Sequence, residues 1–95
     1  MSNATEELER GRLAQEVLEN RVYAESMTQI EREITERWQV ESDPKAREWL
    51  WSLMQAHKRL QAVLRDTMLT GQMRSKQIEA EQTRMQRLGS MFTRR

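Results

Sequence analysis

The chain has 95 residues, of which 37% are hydrophobic and 33% charged, with a formal net charge of +1, so it forms one small domain with a thin core that needs support from association. It has no cysteine and a single histidine, which excludes disulfides, thiol catalysis, Cys-based metal sites and multi-histidine metal sites. No apolar run approaches the roughly 18 residues needed to span a membrane, and the N-terminus lacks the apolar core of a signal peptide.

Helix formers dominate throughout, and no sustained period-two alternation marks a strand. The first predicted helix covers residues 5–38. Asn3 or Thr5 supplies the N-cap, and Glu6 and Glu7 lie in the first turn, where the helix dipole favours acids. Leu13 and Val17, then Tyr23, Met27, Ile30, Ile34 and Trp38, recur at spacings of three and four and form one apolar stripe on a charged cylinder. Gly11 weakens the helix interior, so fraying or a late helix start is expected over residues 1–11; the run Leu18–Arg21 lacks an apolar anchor at position 20, so a bend or break is expected near Asn20.

The segment Gln39–Pro44 is the clearest boundary. Pro44 disfavours helical geometry at Asp43, while Asp43 suits an N-cap and Pro44 the first helical position. So short a connection predicts an antiparallel neighbour. The second predicted helix covers 44–70, with Trp49, Leu50, Leu53, Met54, Ala56, Leu60, Val63, Leu64 and Met68 as a broad apolar face suited to two neighbours. Gly71 reads as a left-handed C′ residue. A third helix is expected over 72–88, carrying Ile78, Met85 and Leu88 and interrupted by Glu81. Gly89 then ends it, and residues 89–95 form a tail that is disordered in a monomer. The fold class is therefore all-α: a single domain over residues 1–95, made of an antiparallel hairpin plus a third C-terminal helix, completed by oligomerisation or by a partner.

Charge is distributed unevenly. Residues 1–43 carry eleven acids and five bases, net −6; residues 44–95 carry four acids and eleven bases, net +7. The asymmetry fits an acidic helix paired with a basic one, within a chain or between copies. It also fits a basic C-terminal part that meets nucleic acid or an acidic protein.

Catalytic chemistry finds little material. His57 lies at seam-like spacing between Leu53 and Leu60, where a histidine is more often packed than catalytic; buried between chains it becomes a pH-sensitive element. A di-iron bundle needs Glu-x-x-His, and the residue three before His57 is Met54. Pairs such as Glu9 with Glu16 read as solvated helix faces rather than acid–base pairs. No glycine-rich phosphate loop is present. The expectation is a non-enzymatic protein with no cofactor, no metal and no small-molecule substrate.

Three tryptophans cluster at the predicted turn: Trp38, Trp49 and Trp51. Two residues apart on a helix diverge by about 200°, so Trp49 and Trp51 face different ways. Trp38, Trp49, Leu53 and Leu60 are assigned to the hairpin core. Trp51, Met85, Leu88 and Phe92 are assigned to a protein interface, where aromatic anchors and adaptable methionines serve well. Arg84, Arg87, Arg94 and Arg95 are the candidates for contacts with an acidic partner or with DNA. The segment has no helix-turn-helix signal, so base-specific reading is not expected.

Three stretches carry a likeness to known proteins: ELERGRLAQEVLEN (Glu7–Asn20), IEREITERWQVESDPKAREWLW (Ile30–Trp51) and LRDTMLTGQMRSKQIE (Leu64–Glu79). With them the chain resembles small α-helical proteins encoded among the packaging and virion-structure genes of tailed bacteriophages. Members commonly carry Asp-Pro soon after the position of Asn20, where this chain has Val22–Tyr23. The resemblance implies a structural or assembly role in a phage particle, with copies of itself or larger phage structural proteins as partners, in the host cytoplasm during assembly or in the virion. It carries over no functional residue. Two alternatives remain: a DNA-packaging factor of the small-terminase kind that binds DNA through the basic C-terminal part, and a small inhibitor that docks on a host protein.

Overall fold

The computed structural model describes residues 3–93. Three helices fill almost all of that range: α1 (Ala4–Glu19), α2 (Arg21–Val40) and α3 (Pro44–Thr93). The all-α hairpin expected from the sequence is present. Its first leg is α1 followed by α2, its second leg is α3, and the legs run antiparallel. The particle is a rod of 80 × 27 × 18 Å, as a 50-residue helix of about 75 Å requires.

Local chemistry accounts for each helix start. The Asn3 side chain accepts from the Glu6 N–H at 2.8 Å. The Asn20 side chain accepts from the Tyr23 N–H at 2.9 Å, while the Asn20 N–H donates to the Val17 carbonyl at 3.1 Å. Asn20 therefore ends one helix and caps the next. With extended backbone at φ −66°, ψ 121°, it breaks the first leg where the sequence predicts a bend. The Asp43 side chain accepts from the Ala46 N–H at 3.0 Å, and Pro44 opens α3, as its missing N–H allows. On the outer face of α1, Arg12 bridges Glu9 and Glu16. The hydrogen bond from Arg12 holds the Glu9 carboxyl below the usual carboxylate range.

The glycines behave differently from their local reading. The helix expected to stop at Gly71 and the one expected over 72–88 are one continuous helix, and Gly89 does not end it, since α3 runs to Thr93. No glycine among the described residues has positive φ, so neither Gly71 nor Gly89 acts as a left-handed cap. Gly11 does not fray α1 either. Gly11 and Gly71 are both buried and meet where α1 crosses α3. A Cβ built on Gly11 would lie 2.7 Å from the Gly71 Cα and 3.1 Å from the Thr67 carbonyl oxygen. Two helix backbones approach this closely only where neither carries a side chain, and that contact outweighs the helix-propensity cost of glycine. Beside the crossing, Arg74 Nε donates to Glu7 Oε2 at 2.5 Å.

At the opposite end Arg47 closes the turn. Its guanidinium donates to the carbonyls of Trp38 at 2.6 Å and Glu41 at 2.9 Å and lies 3.9 Å from the centre of the Trp38 ring. It thus satisfies carbonyls that the end of α2 leaves open, and it stacks as a cation on an aromatic face.

Candidate functional site

The intramolecular seam of α3 follows Leu50, Met54, His57, Gln61, Leu64, Met68, Gly71, Ser75 and Ile78, all buried or half-buried. The spacing alternates four and three, a heptad seam. Histidine, glutamine, glycine and serine hold four of its nine positions. The buried apolar side chains of the described residues are Ala14, Ile34 and Leu50, and His57 is buried with them.

One residue earlier in the chain, about 100° around the helix, runs a second stripe: Trp49, Leu53, Ala56, Leu60 and Val63. It is apolar at every position, and it is exposed: Trp49 is 64%, Leu53 38% and Leu60 46% accessible. This corrects the assignment of Trp49, Leu53 and Leu60 to the hairpin core. Trp38, assigned with them, packs on Arg47 yet stays 41% accessible. The hairpin closes on the less apolar stripe because the Gly11–Gly71 approach and the break at Asn20 set which side of α3 the first leg covers. Beyond Val63 the second stripe continues as Thr67, Thr70 and Arg74, which are half-buried where α1 crosses. The exposed stripe therefore has a defined length, from the start of α3 to the α1 crossing.

The residues assigned to an interface all lie on the surface. Trp51 borders a shallow apolar cleft of about 160 Å³ lined by Ile34, Thr35, Trp38, Leu50 and Met54. Met85, Leu88 and Phe92 lie on the last part of α3, where every residue from Glu79 to Phe92 is exposed. The segment expected to be a disordered tail is helical as far as Thr93, so α3 carries an arm of about 20 Å beyond the start of α1. Phe92 is the most exposed large apolar residue of the described chain at 87%. Arg84 and Arg87 stand one turn apart on this arm, and both are exposed. Arg94 and Arg95 lie outside the described residues.

His57 packs between α3 and α2 with its Nε2 3.7 Å from Glu31 Oε2. Neither His57 Nε2 nor Tyr23 Oη finds a hydrogen-bond partner among the described residues, and each such buried group costs about 1–3 kcal/mol. No group of three or more His, Asp or Glu residues among those described is arranged to hold a metal ion, and no described helix is long and apolar enough to cross a membrane. Comparison of the chain with known protein families, with characterised proteins and with solved structures finds no match.

Proposed function

We propose that the protein is a non-enzymatic assembly subunit that acts by docking its exposed helix faces against neighbours in a multi-subunit structure. A tailed-phage particle is the setting that the resemblance of its three sequence stretches implies. The observation that carries this reading is the inverted use of α3: its polar-interrupted stripe faces inward, and its uninterrupted apolar stripe faces solvent. Contiguous exposed apolar surface of this kind marks an interaction site on a soluble protein. The helical arm adds a second docking element, with Met85, Leu88, Met91 and Phe92 exposed along it.

Association that stabilises the folded state makes unfolding depend on concentration. For a dimer, each tenfold rise in protein concentration adds about 1.4 kcal/mol of apparent stability, a rise of about 5 °C or more in Tm for a chain of this size. Thermal unfolding followed by circular dichroism from micromolar to hundreds of micromolar checks this. A Tm that stays fixed over that range contradicts the assembly reading.

A further inference from the structure

We infer that the exposed stripe Trp49–Leu53–Ala56–Leu60–Val63 is a self-recognition site that pairs two copies of this chain through antiparallel α3 helices. The inference rests on the assembly reading and names its first partner, a second copy. Three features of the stripe select that occupant.

The first is size complementarity under reversal. In an antiparallel pair, core layers form between non-equivalent heptad positions. Setting Trp49 of one copy against Leu60 of the other also sets Leu53 against Ala56 and Ala46 against Val63. Every layer then joins apolar residues, and the large Leu53 meets a small alanine, as interdigitation requires. The two-fold axis passes between positions 54 and 55, and the interface uses the same patch on both copies.

The second is charge. Along the flank of the stripe that faces away from α2 stand Lys45, Glu48, Arg59 and Asp66, all exposed. None of them forms an ion pair among the described residues. Read along the helix, the signs run plus, minus, plus, minus. An antiparallel copy presents them in the opposite order, so Lys45 meets Asp66 and Glu48 meets Arg59. In a parallel copy this flank would face the partner's Leu50–His57–Leu64 side, which the first leg covers, so the four charges would gain no partner, and flanking charges of this sort decide orientation in helical pairs.

The third is length. The stripe is bounded by Pro44 on one side and by the α1 crossing at Thr67 and Gly71 on the other. A partner helix must match an apolar run of about 21 Å with the reverse charge order, and the stripe itself does so.

The absence of cysteine makes cross-linking a clean test. Ala46→Cys and Val63→Cys are prepared in the full chain, singly, then mixed and oxidised. The inference predicts a disulfide-linked dimer in the mixture and little in either variant alone, because positions 46 and 63 face each other only across an antiparallel pair. Cross-linking of each variant with itself would mean parallel pairing and would overturn the inference, as would failure of the mixture to cross-link. A Leu60→Glu variant, altered at a site exposed in the single chain, should keep its helicity and weaken the pair by about 100-fold or more, as loss of an interface anchor does. Retained helicity with unchanged pairing would also overturn it. If the unaltered protein associates but the mixture does not cross-link, the stripe inference fails and the assembly reading stands. If the unaltered protein is a monomer throughout, both fail.

Discussion

Gly71→Val is expected to detach α1 from α3 and to lower stability by about 3 kcal/mol, the upper part of the usual range for overpacking. Intrinsic propensity alone predicts the opposite sign, because valine is a better helix former than glycine. The cost arises because a Cβ at position 71 would lie 2.7 Å from the Gly11 Cα and 3.1 Å from the Glu7 carbonyl oxygen, and backbone cannot move aside as a flexible side chain can. Separation of the helices also removes the Arg74–Glu7 pair. Gly89→Ala provides the contrast, since a Cβ there meets nothing within 4 Å. It should leave stability unchanged or raise it by up to about 1 kcal/mol through helix propensity, seen as an unchanged or higher urea midpoint. Urea unfolding of both variants distinguishes the two roles. Equal gains from both substitutions would mean that the Gly11–Gly71 contact does not hold α1 in place.

The second large effect is expected at Leu50. With 4% exposure it is one of the three buried apolar side chains among the described residues, and it lines the same cleft as Ile34 of α2 near the hairpin turn. Leu50→Ala should cost about 2–5 kcal/mol. A chain of this size has a total stability near the lower end of about 5–15 kcal/mol, so a loss at the upper end of the range for Leu50→Ala leaves the hairpin partly unfolded at room temperature. Trp49→Ala, one residue away, removes a larger side chain that the single chain leaves exposed. Below the association range it should change stability by less than about 0.5 kcal/mol. Denaturant midpoints of the two variants at low concentration check the pair. A greater loss from Trp49→Ala would mean that the hairpin core uses the other stripe.

The contrast between adjacent residues shows what was legible in the sequence. Caps were legible at Asn3, one of two candidates, and at Asp43–Pro44, because each acts through a hydrogen bond three residues away; at Asn20 only a bend or break was legible, and not that its side chain starts a second helix. The antiparallel hairpin followed from the short link before Pro44. Two features were not legible locally. Gly71 follows an apolar helical run and precedes a polar one, as a C-cap glycine does. Its actual role depends on Gly11, sixty positions earlier in the chain. The seam was hidden for a related reason. Trp49, Leu53 and Leu60 are the better core residues by hydrophobicity, and composition favours them over a stripe that contains His57 and Gln61. The helix crossing decides otherwise, and the one seam residue that marks it, Gly71, does so only through the distant Gly11.

The same inversion underlies the proposed function. The chain buries its poorer stripe and exposes its better one, and under the proposed assembly role the exposed arm carrying Met91 and Phe92 extends the surface open to neighbours. Trp51, Met85, Leu88 and Phe92 can serve contacts beyond a first pair, because they lie off the Trp49–Val63 stripe.

The most direct test is the mass of the intact protein in solution by light scattering, at low and at high salt. Apolar burial is not screened by ions, whereas exposed charge pairs are. A discrete multiple of the 11.4 kDa chain that persists when salt is raised is the expected result. A mass of one chain at both salt concentrations, across the concentrations at which the hairpin is folded, would contradict it.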